Sequence, residues 1–98
     1  MLERMGVSGV SETVQIINQR GLHARASAKF VNMVALLPDH VDVRVSKDGT
    51  DAAGGSILGL MMLGAAKGDA IEIAVSGDGA EDALLKLAGL VKDGFGED

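Results

Sequence analysis

The stretch Asn-Gln-Arg-Gly-Leu-His-Ala-Arg, residues 18–25, lies between a segment with the periodicity of a strand and one with the periodicity of a helix. Upstream, residues 12–18 alternate between two faces, as a half-buried strand does. Downstream, apolar residues between positions 24 and about 37 recur at helical spacing until Pro38 ends the pattern. The stretch therefore predicts a strand-to-helix connection that places His23 at the start of the first helix.

The chemistry of this connection favours binding of a phosphoryl group. The first N–H groups of a helix have no intrahelical partner, and the positive end of the helix dipole lies there, so the backbone at Ala24 and Arg25 can hold an anion. The Arg25 guanidinium offers a planar fork of donors for phosphate oxygens. Imidazole, with an ordinary pKa near 6.5, is both a good neutral nucleophile and a tolerable leaving group. We therefore expect reversible phosphorylation of His23, with Arg25 stabilising the phosphate.

The middle of the chain predicts a hairpin followed by a short helix. Residues 41–45 alternate between valine and polar residues, 48–49 are an Asp-Gly tight turn, and 50–53 can return as a short strand. Ser56 can then cap a short helix that runs through Gly64. The apolar side chains of that helix lie nearly all round it, and at least part of them must be core because a short helix needs an anchored face.

The last third of the chain predicts one more strand and one more helix. Residues 71–75 alternate like a half-buried strand, and Asp78 with Glu81 three positions later is typical of a capping box. Gly94 lies past the predicted end of this helix. The resulting order β-α-β-β-α-β-α indicates an α+β fold: one sheet with helices on one face and the other face largely solvated.

Composition limits the classes of function. The chain has 98 residues, a net charge of −5 and no cysteine, so we expect one domain and no disulfide or thiolate metal site. The negative charge argues against nucleic acid, and the scarcity of aromatic residues argues against stacking on bases or sugars. No segment resembles a signal peptide or a membrane span. We expect a soluble, cytoplasmic monomer with no membrane insertion, in which residues 1–10 are a flexible extension and 11–98 a single domain.

These residues, in this order, resemble the histidine-containing phosphocarrier protein HPr family of the bacterial phosphoenolpyruvate-dependent phosphotransferase system. The likeness extends over nearly all of residues 11–92. Residues 18–25 look like the family's phosphohistidine site, and Ser-Ile-Leu-Gly-Leu-Met, residues 56–61, looks like its regulatory-serine segment. The resemblance implies a two-layer open-faced sandwich, with three helices on one face of an antiparallel sheet of strand order 1-4-2-3.

The resemblance also implies a function. His23 would accept a phosphoryl group from Enzyme I, which takes it from phosphoenolpyruvate, and would pass it to Enzyme II A domains for sugar uptake or regulation. The phosphorylated atom would be the ring nitrogen nearer the main chain, and Arg25 would bind the phosphate. Such a protein is a stoichiometric carrier rather than an enzyme, and it needs no cofactor or metal.

The second motif implies docking and regulation. Ile57, Leu58 and Met61 match the family's apolar docking patch, and flexible aliphatic and thioether side chains suit a surface that meets several partners. Ser56 matches a serine that a dedicated kinase phosphorylates in some bacteria. A plain helix cap would equally explain Ser56.

The sequence departs from the family pattern after the arginine, where Ala26 replaces the usual proline, and before the serine, where Gly55 replaces a common basic residue. Loss of the proline should loosen the helix start slightly. We expect His40 to be a solvated loop residue and the acidic tail, residues 97–98, to be only solvated.

Two other functions stay open on the residues alone. One is a regulatory binding module of the same fold, a nitrogen-related phosphotransferase paralogue whose phosphorylation state controls partner proteins. The other is a metal- or nucleotide-binding α+β domain, which has little support because the two histidines lie far apart and no phosphate loop of standard spacing is present.

Overall fold

The computed structural model describes residues 9–97, and the order of elements in that part of the chain is the predicted one. Four strands and three α-helices are followed by a short 3₁₀ turn. In chain order they are β1 (Gly9–Gln15), α1 (Ala24–Ala35), β2 (Asp42–Lys47), β3 (Thr50–Ala53), α2 (Ile57–Met62), β4 (Ala70–Ser76), α3 (Ala80–Lys92) and the turn Gly94–Gly96.

The strands form one antiparallel sheet in the order β1-β4-β2-β3, which confirms the predicted fold class. The inward residues of β4, namely Ile71, Ile73 and Val75, are at most 1% exposed, whereas Glu72 between them faces solvent. This period of two is what places one face of the sheet against the helices and leaves the other to water.

Each helix packs on the sheet through its apolar stripe. In α1 the buried side chains include Ala26 and Phe30, and in α2 Leu60 alone is buried. The stripe of α3 is the most extensive, and its buried members are Ala80, Ala83, Leu84, Leu87, Ala88 and Val91. Leu60 is therefore the part of α2 that anchors this short helix, while its other apolar residues are left at the surface.

The first strand was predicted in the wrong place along the chain. It starts at Gly9 and ends at Gln15, instead of spanning residues 12–18, because each of its residues pairs with β4 from Ser76 back to Ala70. Residues 9 and 10 therefore belong to the sheet and not to an N-terminal extension ending at residue 10. The rest of that predicted extension, residues 1–8, lies outside the described residues.

The helix ends also differ in detail from the predictions. Ser56 caps α2 as expected, since its Oγ accepts a 2.9 Å hydrogen bond from the N–H of Gly59. The predicted cap of α3 is wrong: the N-cap is Gly79 with φ +87°, and it makes no side-chain cap. Gly77 and Gly79, on either side of Asp78, both have positive φ, and the N-cap position is taken by Gly79. Asp78 therefore lies one residue before the position from which its side chain could cap α3. Helices α1 and α2 each end about two residues before the predicted positions.

Candidate functional site

His23 is held at the start of α1 by contacts on both sides of it. Gly21 turns the chain with φ +63°, and the next residue, Leu22, donates its N–H to the carbonyl of Ala65 at 2.9 Å. The carbonyl of His23 then accepts the first hydrogen bond of the helix, from the N–H of Ser27 at 2.9 Å. His23 is thus the N-cap residue of α1, and its ring is 16% exposed.

The helix start has free backbone donors at the position where the sequence predicts an anion site. The N–H groups of Ala24, Arg25 and Ala26 precede the first donor of the helical ladder and have no partner within it. No acidic residue occupies the first turn of α1, so the positive end of the dipole is not neutralised from within the helix. The helix begins at Ala24 even though Ala26 replaces proline. Ala24 and Arg25 are both exposed.

Arg25, the predicted phosphate-binding residue, is exposed in the first turn of α1. Its side chain makes no hydrogen bond or ion pair with another residue of the described range 9–97. A guanidinium that keeps its charge and pairs with no other described residue has its donors free for a phosphate as far as residues 9–97 are concerned.

The residue that the sequence reasoning missed is Glu97. Its Oε2 lies 2.6 Å from Nε2 of His23, although 74 residues separate the two. Its Oε1 accepts a 3.0 Å hydrogen bond from Nδ2 of the buried Asn18, which also donates to the carbonyl of Gly21 at 2.9 Å. The prediction that the acidic tail is only solvated is therefore wrong for Glu97. Asp98 lies outside the described residues.

The tail reaches the histidine because Phe95 anchors it. Phe95 is 1% exposed and adopts φ +58°, between Gly94 and Gly96, which also have positive φ. Its carbonyl accepts a 2.6 Å hydrogen bond from Nζ of Lys29 on α1. The sequence signal was Phe95 itself, since phenylalanine is among the residues most often fully buried.

The environment of Glu97 favours its ionised form. Partial burial alone would raise its pKa, but hydrogen bonds from Asn18 and His23, together with the charges of His23 and Lys29, outweigh that effect. The pKa of Glu97 is consequently lower than its usual value of 4.5. A carboxylate rather than a carboxylic acid faces His23 at neutral pH.

A second surface lies on α2, which packs against α1. The segment that follows α2 is tied to the histidine loop, residues 18–23, because the carbonyl of Ala65 accepts from Leu22. Four apolar residues of this helix form what we call the α2 patch; their exposed fractions are 41% for Ile57, 68% for Leu58, 41% for Met61 and 75% for Met62. The first three are the residues expected to dock partners. The sequence analysis does not place Met62 among the docking residues, because α2 has apolar residues on nearly every side and their pattern does not show which side faces the core.

Other sequence candidates lie apart from this chemistry. His40 is exposed, and its Nε2 lies 3.1 Å from the carbonyl oxygen of Asp78 in the turn before α3. Within residues 9–97 no group of three or more His, Cys, Asp or Glu side chains could hold a metal ion. The helices in the same range are all too short or too polar to cross a bilayer.

Comparison with known proteins identifies the class. A family model described as "PTS HPr component phosphorylation site" matches residues 10–93. The phosphocarrier protein HPr of Neisseria meningitidis is 41% identical over 88 residues, which cover 90% of this chain and 97% of that protein. The phosphocarrier protein NPr of Escherichia coli is 37% identical over 89 residues, or 91% of this chain and 98% of that protein.

Solved structures agree with this result. Superposition on the crystal structure of HPr from Thermoanaerobacter tengcongensis gives a TM-score of 0.84 at 34% identity, covering 91% of this chain and 98% of that one. For the HPr of Bacillus anthracis the TM-score is 0.78 at 37% identity, covering 85% and 96%.

Fold and sequence together define a phosphocarrier of the phosphotransferase system, a protein that carries a phosphoryl group and is not an enzyme. The chain belongs to the HPr family. The predicted resemblance to this family is confirmed, and the partners of the protein are components of the phosphotransferase system.

Proposed function

We propose that Nδ1 of His23 carries the phosphoryl group, which it receives from Enzyme I and delivers to the A domain of an Enzyme II. The observation that supports this most is the position of the ring. It lies at the N-terminus of α1, next to N–H groups that precede the helical hydrogen bonds and an arginine that pairs with no other residue of 9–97, with Nε2 already occupied by Glu97. Nδ1 is the ring nitrogen left for chemistry.

In the transfer, the lone pair of Nδ1 attacks phosphorus and a new N–P bond forms while the bond from phosphorus to the donor breaks. The N–H groups of Ala24 and Arg25 and the Arg25 guanidinium bind the phosphoryl oxygens. A hydrogen bond to a charged group contributes about 1.5–3 kcal/mol, and a helix terminus about 0.3–1 kcal/mol. Interactions of this size orient a phosphoryl group without trapping it, which a carrier requires.

The α2 patch is the surface that we assign to partner docking. It is apolar and exposed, and it lies on the helix that packs against α1, whose N-cap residue is His23. Met61 and Met62 add flexible thioether side chains that adapt to different partner surfaces. Enzyme I and Enzyme II A domains can therefore use the same face in turn.

Ser56 is the proposed regulatory site, for a serine kinase and the matching phosphorylase. The side chain is half-buried, and its oxygen caps α2. A phosphate on this oxygen carries close to two negative charges at neutral pH and would lie directly beside the α2 patch. Repulsion of acidic partner surfaces is the expected result.

The direct experiment is phosphorylation by phosphoenolpyruvate and Enzyme I. We expect an acid-labile phosphate on the protein, none on His23→Ala, and an unchanged amount on His40→Ala, which alters the only other histidine in the chain. Phosphate retained by the His23 variant would overturn the site. Transfer to a panel of sugar-type and nitrogen-type A domains then identifies the pathway, because an NPr is among the relatives.

A further inference from the structure

We infer that Glu97 is a positioning residue that fixes the tautomer of His23, placing the proton on Nε2 and leaving the lone pair on Nδ1. This inference rests on the proposed function, in which Nδ1 is the nucleophile. It concerns a residue outside both sequence motifs, in a tail that the sequence alone indicated to be solvated.

The contact between the two side chains determines where the proton lies. Oε2 of Glu97 is 2.6 Å from Nε2 of His23, a distance that requires a hydrogen bond between them. An ionised carboxylate can only accept, so Nε2 must donate. Neutral imidazole carries one N–H, and within the described residues no hydrogen bond is made to Nδ1. The neutral ring is therefore held in the form in which Nδ1 is the base and nucleophile.

The carboxylate is itself held in place from two directions. Asn18 donates to Oε1, the oxygen that does not face the histidine, and the same amide group donates to Gly21 in the histidine loop. On the other side, buried Phe95 and its hydrogen bond from Lys29 fix the backbone of the tail to α1. Asn18 therefore fixes Glu97 relative to the loop that precedes His23, and Phe95 with Lys29 fixes it relative to α1.

The arrangement also stabilises the phosphorylated ring. When the Nδ1–P bond forms and the donor's bond to phosphorus breaks, the ring becomes an imidazolium with its proton still on Nε2. The Glu97 carboxylate accepts the hydrogen bond from that N–H and balances the positive charge. When phosphorus moves to the next acceptor, the electron pair of the N–P bond returns to Nδ1. No proton leaves Nε2 in either step.

Two substitutions of Glu97 separate tautomer control from mere packing. In Glu97→Gln, Nδ2 of Asn18 still donates to the side-chain oxygen of the glutamine, because turning the Asn18 amide would break its hydrogen bond to the carbonyl of Gly21. The NH₂ group of the glutamine therefore faces His23. Nε2 must then accept, and the proton moves to Nδ1, where it blocks the nucleophile. In Glu97→Ala the ring loses this partner and follows its own preference. The near-isosteric glutamine is therefore expected to be more harmful than alanine.

The experiment reads the His23 ring nitrogens by long-range ¹H–¹⁵N NMR in alkaline solution, at a pH above which the ring signals no longer change. We expect protonation at Nε2 in the parent protein, a mixture in Glu97→Ala, and protonation mainly at Nδ1 in Glu97→Gln. Phosphorylation by Enzyme I should slow by about tenfold or more in Glu97→Gln and by less in Glu97→Ala. The control is Glu72→Gln on the solvent face of β4, which should change neither.

A ring that stays protonated at Nε2 in Glu97→Gln, or equal rates in the two Glu97 variants, would overturn the inference. These outcomes differ from failure of the proposed function, in which the parent protein takes no phosphate on His23 although its NMR spectrum shows the expected tautomer. Because the tautomer is observed in the folded protein by NMR, a variant that merely unfolds is recognised by loss of its dispersed spectrum.

Discussion

Substitution of Gly21 by alanine tests how the histidine loop is held. Gly21 has φ +63°, and a Cβ built on it would lie 2.4 Å from the carbonyl oxygen of Ala65 and 2.9 Å from Cα of Ala66. The left-handed conformation costs an alanine about 1–2 kcal/mol. To relieve the collision, the carbonyl of Ala65 must also move away. Because that carbonyl accepts a hydrogen bond from the N–H of Leu22, losing the bond costs about 0.5–1.5 kcal/mol.

The sum predicts a loss of about 1.5–3.5 kcal/mol in the free energy of unfolding, or a fall of about 6–28 °C in Tm for a domain of this size. Thermal and urea unfolding followed by circular dichroism measure both quantities. The displacement also moves His23 relative to the α2 patch, so the rate of phosphorylation by Enzyme I should fall in the folded variant.

Gly64 provides a matched control. It has φ +66°, but a Cβ at this position has no atom within 4 Å. Gly64→Ala should therefore show the conformational cost alone, about 1–2 kcal/mol, with normal phosphorylation. The difference between the two variants isolates the collision with Ala65. Equal losses of stability, or normal phosphorylation of Gly21→Ala, would refute this reasoning.

Three further predictions concern the cap, the patch and the tail. Ser56→Ala removes the hydrogen bond to Gly59 and should cost about 1 kcal/mol in chemical unfolding; no loss would mean that the cap is not stabilising. Leu58→Ser, at a side chain 68% exposed, should weaken partner binding measured by calorimetry while Tm changes little; unchanged affinity would remove Leu58 from the docking surface. The folded-state pKa of Glu97 lies below 4.5, so its contribution to stability is present above that pH and is lost as the pH falls through the folded-state value. The stability difference between the parent and Glu97→Ala should shrink correspondingly in acid, and a difference that grows there would contradict the lowered pKa.

Local sequence patterns predicted those parts of the fold that depend on local interactions. The Asp-Gly turn marked the hairpin, with its second strand at residues 50–53, and Ser56 marked the cap of α2. The alternation in β4 identified its buried face. In each case the deciding interaction lies within a few residues, so its pattern is visible in the sequence.

The failures concern interactions between distant parts of the chain. The bounds of β1 depend on its pairing with β4, some sixty residues away, and the alternation within β1 does not show where that pairing begins. The cap of α3 depends on the left-handed conformation of Gly79, which an aspartate one residue earlier concealed. The position of Glu97 beside His23 depends on the burial of Phe95, which holds the end of the chain against α1.

The most direct test of the central claim is the position of the phosphate on the protein. After phosphorylation by phosphoenolpyruvate and Enzyme I, ³¹P and long-range ¹H–¹⁵N spectra in mildly alkaline solution assign the phosphate to a residue and to a ring nitrogen. The account predicts a single phosphate on Nδ1 of His23, with the proton on Nε2. A phosphate on Nε2 of His23, on His40 or on a side chain that is not histidine would contradict it.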